Sequence, residues 1–361
     1  MDIENNIKEY IKKQERKNKP LNSLDIIVDS IKKEQNLTYK IIEARSIDKL
    51  LNLGIDFDIN TLKKIRNKLI NNTIKNIINN CSGRIYVIGH PNPDVDSIFS
   101  SYLLSKVLKS FGVDAKFAIL KGYKYLDSSS KIIKDYLNEK PIVVEPKDNK
   151  FILVDHNQLY KLKKSNVVGA IDHHRITKEI DNVLEIEYAS TGLLIYNLFK
   201  NKYNFNEEDK ILVALTVLTD TEYLNSPRYT RQDKLIYESL NLNLDSKALE
   251  KKYFVTTNFN KSITDNIKDS IKTYKYNNLD INRVLILSYH NDLINNLDNY
   301  INVINNYEGN WLVIWCDYEL KSTIIIYNGD RYELDYVTTS TNIVLKYLDK
   351  LGVLEKKIYK K

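Results

Sequence analysis

Between residues 84 and 220 the sequence alternates short apolar runs with helical segments, and this alternation constrains the fold more than any other feature. The runs "RIYVIGH", "DAKFAIL", "KFILVDHN" and "NVVGAIDHH" are typical of buried strands, and "SIFSSYLLSKVLKSFG" predicts an amphipathic helix closed by Gly112. The run "KILVALTVLTDT" fits a helix or a strand by periodicity. Strands that alternate with helices predict an α/β fold built on a parallel sheet.

The regions on either side of this segment have different patterns. Residues 1–80 are polar with apolar residues at helical spacing, so we predict a helical extension of unknown role. The polar stretch Phe254–Ser262 predicts a linker, and beyond it "RVLILSY", "NWLVIWCDY" and "STIIIYN" alternate with a helical pattern. We therefore predict a parallel-sheet domain at 81–257 and a smaller mixed α/β domain at 262–361.

Composition excludes several classes of protein. The chain has 361 residues, 43% of them hydrophobic, and its net charge of +7 comes from interleaved acidic and basic residues. This charge requires no nucleic-acid partner, and none is expected. Two distant cysteines exclude a disulfide framework and a CxxC metal site. With no signal-like segment and no apolar run of membrane length, we expect a cytoplasmic protein without a membrane partner.

Acidic and histidine side chains gather where the apolar runs end. Four of the five histidines lie at these positions. Because the carboxyl ends of parallel strands meet at one rim of a sheet, we expect these groups to converge there. The residues are His90, Asp94, Asp96, Asp155, His156, Asp172, His173, His174 and Asp220.

Such a cluster predicts bound cations. Carboxylates that are buried together without a counter-charge are costly, and a divalent cation relieves that cost. Imidazole and carboxylate ligands without thiolate favour Mn²⁺, Mg²⁺ or Co²⁺ over structural zinc. The ligands are too many for one ion. A pair of ions about 3.5–4 Å apart would ionise a shared water for phosphoryl hydrolysis.

Four motifs in order, "GHPNPDVDSI", "LVDHNQ", "AIDHHR" and "LTDTEYLNSPRYTRQD", carry a resemblance to a known family. The chain resembles the DHH phosphoesterase superfamily and, within it, the family II (manganese-dependent) inorganic pyrophosphatases. The resemblance covers about residues 84–361. It implies a DHH catalytic domain, a substrate-binding C-terminal domain, a small phosphate-containing substrate and hydrolysis of pyrophosphate by a two-metal-activated hydroxide. Related pyrophosphatases commonly pair, so a homodimer is left open.

The resemblance also assigns metal ligands. One ion would take His90 and Asp94, and the other would take Asp96, His173 and Asp220. Asp155 would bridge both ions and is counted with the catalytic residues.

Further residues receive catalytic and supporting roles from the same resemblance. His174 would face the substrate phosphates and the leaving group. Asp172 would orient the neighbouring histidines, as metal-bound imidazoles usually require. His156 and Asn157 match the family's second motif as supporting residues.

The positively charged residues that would bind the substrate match the family's pattern least closely. Lys272 resembles the lysine that the second domain supplies, and Lys356 with Lys357 falls where a basic pair is expected. Lys356 stands where the family has an arginine, and a lysine cannot form the bidentate hydrogen bonds that arginine makes with phosphate. Glu355 stands where the family has a serine. Arg228 in the loop after Asp220 would also reach phosphate.

Three other readings remain. An exopolyphosphatase acting on short polyphosphate would suit the altered C-terminal segment, although His90 argues against it. A DHH-type oligonucleotide phosphodiesterase would carry a "GGGH" loop, which this sequence lacks. A non-catalytic regulatory protein would use residues 1–80 for interaction, but decay normally removes ligands first and all six are present.

Overall fold

A computed structural model describes residues 59–123, 127–147, 149–174, 180–226 and 229–354. Within them the chain divides into two compact units, the first ending at Thr216 and the second beginning at Val217. The boundaries 81–257 and 262–361 stay predictions, and residues 1–58 of the predicted extension lie outside the described residues. Among the described helices, none combines the length and the apolar character needed to cross a membrane.

The first unit is built on a six-stranded sheet. Its strands are β1 Ile85–Ile88, β2 Ala115–Leu120, β3 Ile142–Val144, β4 Lys150–Val154, β5 Val167–Asp172 and β6 Val183–Glu185. Their order is β3-β2-β1-β4-β5-β6 and every neighbouring pair is parallel, which confirms the predicted parallel sheet. Chain order reverses between β1 and β4, and ligands of open α/β sheets bind at such a reversal.

Five described helices begin in the first unit; the last of them continues into the second unit and corrects a prediction. They are α1 Ile59–Asn79, α2 Val95–Ser110, α3 Asp127–Tyr136, α4 Thr191–Phe199 and α5 Glu207–Asp220. The ambiguous run "KILVALTVLTDT" lies in α5, so Asp220 ends a helix and its placement at a strand end was wrong. Helix α5 is buried on most sides, which removes the apolar stripe that identifies a helix, whereas its acidic first turn suits a helix N-terminus.

The predicted helix over "SIFSSYLLSKVLKSFG" is α2, and it is buried almost all round rather than amphipathic. Its end is as predicted, because Gly112 has φ 82° and the N–H of Val113 donates to the carbonyl of Leu108.

Helix α1 is part of the core of the first unit. Ile70, Ile74 and Ile77 are buried, at no more than 9% exposure. Gly169 of β5 makes this contact close, since a Cβ there would lie 2.8 Å from Ile77 Cγ1. The last part of the predicted extension therefore packs against the sheet that carries the histidine and acidic residues.

The second unit combines helices with a five-stranded sheet, which confirms the predicted mixed α/β architecture. Its strands are β7 Lys272–Tyr276, β8 Leu279–Ser288, β9 Asn310–Asp317, β10 Ser322–Tyr327 and β11 Asp330–Leu334, in the order β11-β10-β9-β8-β7. Only β8 and β9 are parallel within this sheet. The helices are α6 Arg231–Glu238, α7 Ser246–Leu249, α8 Ile263–Ser270, α9 His290–Asn305 and α10 Thr341–Lys350. Helix α6 begins with a capping box between Thr230 and Asp233.

Candidate metal centre

Three adjacent strands deliver histidine and acidic side chains to one rim of the first sheet. His90 follows β1 after one residue, Asp155 follows β4 directly, and Asp172 is the last residue of β5 with His173 and His174 next. Strands β1, β4 and β5 are neighbours, so their carboxyl ends meet at the chain reversal. The expected convergence at a rim is confirmed for these residues.

The first candidate cation group contains His90, Asp94 and Asp155. One ligand atom of each lies within 4.8 Å of those of the others. His90 Nε2 is 3.6 Å from Asp94 Oδ2 and 3.3 Å from Asp155 Oδ2. These three residues are the ones that the sequence assigned to the first ion together with the bridging carboxylate.

Local structure around β1 and α2 holds this group. Asp94 caps α2, and its Oδ1 accepts the Ser97 N–H at 3.0 Å, which leaves Oδ2 for His90. The Ser97 hydroxyl accepts the His90 N–H at 3.0 Å. Gly89 makes this approach close, because a Cβ there would collide with the Ser97 side chain. The glycine before the histidine in "VIGHPNPD" is thus a packing requirement.

The second candidate group contains Asp96, His173 and Asp220, whose ligand atoms also lie within 4.8 Å of one another. Asp96 lies in the first turn of α2, and its Oδ2 is 3.8 Å from His173 Nε2. Asp220 is the last residue of α5, a helix that runs without a break from Glu207 in the first unit. These are the three residues that the sequence assigned to the second ion.

Asp155 lies between the two groups. Its Oδ2 is 3.3 Å from His90 Nε2, and its Oδ1 is 3.3 Å from His173 Nε2. The residue has φ 61°, in the left-handed region that acidic and amide residues tolerate better than most. One buried carboxylate therefore presents a separate oxygen to each group, which supports the predicted bridging role without testing it.

Backbone carbonyls fix the tautomers of two histidines. His173 Nδ1 lies 2.9 Å from the Tyr188 carbonyl, and His90 Nδ1 lies 2.8 Å from the Pro91 carbonyl. Since a carbonyl only accepts, each Nδ1 carries a hydrogen, which leaves Nε2 as the ring nitrogen that faces the carboxylates and is available to a cation. This is the arrangement that metal-binding imidazoles usually show. Tyr188 was not predicted to take part.

Asp172 holds His174, one of the two neighbouring histidines that it was predicted to orient. Its Oδ1 accepts the His174 N–H and binds His174 Nδ1, both at 2.9 Å. Its Oδ2 accepts a hydrogen bond from Asn157 Nδ2 at 2.7 Å. His174 is half exposed, unlike the buried His173, and its Nδ1 lies 3.5 Å from Asp155 Oδ1. A substrate-facing role for His174 stays a prediction that this exposure supports.

His156 has a supporting place. Its Nδ1 donates to the Val154 carbonyl at 2.9 Å. Burial lowers the pKa of His156 to about 4, so it is neutral over the physiological range.

Electrostatics and donor chemistry both fit divalent cations. Burial, followed by the charge of Asp155, raises the pKa of Asp96 to about 7. Burial opposes a charge on His90, but Asp155 and Asp94 outweigh it and raise the pKa of His90 to about 12. Both shifts report buried negative charge that calls for a cation, and oxygen with imidazole nitrogen suits Mn²⁺, Mg²⁺ or Co²⁺. The residues present therefore fit a pair of such ions.

The structure describes only one of the four positively charged residues that were predicted to bind substrate. Lys272 is exposed and begins β7 in the second unit, where it lies opposite Arg283 of β8. Arg228, Lys356 and Lys357 lie outside the described residues. Substrate binding by these four stays a prediction.

Sequence reasoning missed the groups that anchor Asp96. Its carboxylate accepts hydrogen bonds from the Thr191 N–H at 2.7 Å, the Gly192 N–H at 2.9 Å and the Ser100 hydroxyl at 2.9 Å. Thr191 and Gly192 open helix α4, which places a carboxylate at a helix N-terminus. The small residues of "YASTG" before an apolar helix were the available signal.

Gly192→Ala should lower the free energy of unfolding by about 1–3 kcal/mol, the usual cost of overpacking. A Cβ at Gly192 would lie 2.8 Å from Thr216 Cγ2 and press on its hydroxyl as well. Chemical denaturation followed by circular dichroism measures the loss. Adding Thr216→Ala should restore part of the stability, and an equally stable single variant would contradict the close contact.

The chain is similar to a known protein family and to known pyrophosphatases. The DHH family, N-terminal domain, matches residues 84–219. A probable manganese-dependent inorganic pyrophosphatase from Streptococcus thermophilus (strain CNRZ 1066) is 29% identical over 212 residues, which is 54% of this chain and 67% of that protein. A manganese-dependent inorganic pyrophosphatase from Methanothrix thermoacetophila is 29% identical over 168 residues, which is 43% of this chain and 53% of that protein.

A solved structure shares the fold. The crystal structure of a putative family II inorganic pyrophosphatase from Methanococcus jannaschii has a TM-score of 0.53 and 19% identity, and the match covers 74% of this chain and 98% of that one. The two-domain α/β architecture is therefore common to both chains. The chain spans about two thirds of the streptococcal relative and about half of the Methanothrix protein.

Proposed function

We propose that this chain hydrolyses inorganic pyrophosphate to two orthophosphates, since its residues 84–219 match the DHH family, N-terminal domain. One observation carries this proposal. The two oxygens of Asp155 each lie 3.3 Å from an imidazole of a different candidate cation group. Two cation sites that share one buried carboxylate are suited to phosphoanhydride hydrolysis. The names of the relatives point to pyrophosphate and to manganese.

The residues that would hold the ions are those of the two groups. His90, Asp94 and Asp155 would hold one ion, and Asp96, His173 and Asp220 would hold the other with Asp155. When bound, a pair of divalent cations supplies Lewis-acid chemistry, which acidifies water and neutralises phosphate oxygens. Mn²⁺ is the proposed ion, with Mg²⁺ or Co²⁺ as substitutes.

His174 is the proposed group that meets the substrate. Its Nδ1 is occupied by Asp172 at 2.9 Å, so proton exchange with a phosphate oxygen falls to Nε2. Asp172 keeps the imidazole in that orientation, and Asn157 in turn holds the other carboxylate oxygen of Asp172. His174 would donate a hydrogen bond or a proton to the leaving phosphate.

Positive side chains would neutralise the rest of the substrate. Lys272, Lys356, Lys357 and Arg228 are proposed for this role.

Replacing Lys356 should raise KM and lower kcat together if it contacts the substrate, and steady-state kinetics measure both.

We also propose a cytoplasmic location and leave a homodimer as a question for sedimentation analysis.

The direct test is phosphate release in Mn²⁺ with four substrates in parallel: pyrophosphate, tripolyphosphate, long-chain polyphosphate and a dinucleotide. We expect release from pyrophosphate to be fastest and to stop when a chelator removes the metal. Faster release from tripolyphosphate would favour the exopolyphosphatase alternative. Cleavage of the dinucleotide would indicate a phosphodiesterase, and no release from any substrate would contradict catalysis altogether.

A further inference from the structure

The segment directly after Asp220 has a strained backbone. Glu222, Tyr223 and Leu224 are consecutive and have φ values of 48°, 59° and 63°. Residues with a Cβ rarely enter this left-handed region, and bulky ones such as tyrosine and leucine do so least. A strained conformation of this kind persists only where neighbouring groups hold it in place.

Local hydrogen bonds hold the inner side of this turn. The Thr221 hydroxyl donates to the Val217 carbonyl at 2.6 Å and accepts the Leu224 N–H at 3.0 Å. The Tyr223 N–H donates to the Leu218 carbonyl at 2.6 Å. The turn is thereby tied back to the last turns of α5, the helix that ends in Asp220.

The outer side of the turn is loosely packed. Tyr223, Leu224 and Asn225 line a cavity of about 530 Å³ in the second unit. The Tyr223 ring does contact Phe254, with ring centroids 5.3 Å apart. Close packing covers only part of this surface, so polar contacts must contribute to holding the turn.

Glu222 supplies a contact from far along the chain. Its Oε1 accepts the Thr339 N–H at 3.3 Å and also the Thr339 hydroxyl, across 117 positions of sequence. Thr339 lies two residues before α10. Burial raises the pKa of the nearby Tyr318, and the Glu222 carboxylate adds to that shift. Glu222 therefore links the end of α5 to the start of α10.

We propose that Glu222 is a positioning residue that holds Asp220 where it shares a cation with Asp96 and His173. The carboxylate restrains the turn through Thr339, and the turn sets the direction of the last residue of α5. The proposal rests on the cation site of the proposed function, and its test on metal binding stands apart from activity.

The test measures Mn²⁺ binding by electron paramagnetic resonance and kinetics separately, on the full chain. Glu222→Ala should weaken one of two Mn²⁺ binding steps roughly 10-fold, the usual effect of losing a partner that orients a ligand. Glu222→Gln should restore most of the affinity, because the amide oxygen still accepts from Thr339. Thr339→Val should weaken the same step to a smaller extent, and the double variant should be no worse than Glu222→Ala.

Tyr276→Phe is the matched control, because it removes a 3.1 Å hydrogen bond to Asp349 at the other end of α10. It should leave both Mn²⁺ steps unchanged. Unchanged Mn²⁺ affinity in a folded Glu222→Ala protein, or equal losses in the control, would overturn the proposal. If the wild type binds two Mn²⁺ but releases no phosphate, the proposed function fails while the metal-binding test still stands.

Discussion

Asp155→Asn should abolish phosphate release and weaken Mn²⁺ binding at both candidate groups. The side chain is 3% exposed, and each oxygen faces a different imidazole at 3.3 Å. An amide keeps the shape but loses the charge, and one of the two imidazoles then meets an NH₂ group. Losing a residue that only orients a ligand weakens metal binding roughly 10–100-fold, so losing the shared ligand itself should cost at least that much at each group.

The loss in Asp155→Asn should come from the site and not from unfolding. Asparagine tolerates the left-handed backbone of this position, where φ is 61°, as well as aspartate does. The backbone N–H still donates to the Ile171 carbonyl at 3.3 Å. A thermal melt close to that of the wild type would support this reading.

Asp181→Asn is the matched control for Asp155→Asn, since it removes an exposed carboxylate paired with Lys164 in the same unit. Surface ion pairs contribute little, so activity and stability should both remain. Mn²⁺ binding is measured for both variants under the same conditions. Near-normal turnover of Asp155→Asn would contradict the shared carboxylate.

The parallel sheet could be predicted because its central strands are continuous apolar runs. Strands β1, β2, β4 and β5 are buried on both faces, so their sequences show the pattern of a parallel sheet. Strands β3 and β6 have three residues each, which is too short to show any period. In the second unit β7 and β11 were missed because they are largely exposed edge strands without an apolar run.

The side chains of the candidate site could be predicted from the sequence, but the groups that orient them could not. Histidine and aspartate are rare enough at strand ends to stand out, whereas the groups that orient them are mostly backbone. The Tyr188 carbonyl has no signature in a sequence, and for the N–H groups of Thr191 and Gly192 the only signal is the small residues of "YASTG". Asp220 was found through its motif, although its predicted secondary structure was wrong. Helix α5 is buried on most sides and therefore lacks the apolar stripe that marks a helix in a sequence.

Asp96→Asn should damage both metal binding and folding, which separates it from Asp155→Asn. Every hydrogen-bond partner named for this carboxylate is a donor. Its Oδ2 accepts the Thr191 N–H at 2.7 Å, and its Oδ1 accepts the Gly192 N–H and the Ser100 hydroxyl. An amide NH₂ must face one of these donors in either orientation. A buried donor left without an acceptor costs about 1–3 kcal/mol, and we expect the free energy of unfolding to fall by that amount.

Asp94→Asn provides the comparison, because Asp94 lies two residues before Asp96 and is more exposed than Asp96. Its amide oxygen can still accept the Ser97 N–H that caps α2, so stability should change little while the first cation group loses a charge. Denaturant titration and Mn²⁺ titration of both variants separate the two effects. If Asp96→Asn were as stable as Asp94→Asn, the donor-lined environment of Asp96 would not be what anchors helix α4 to helix α2.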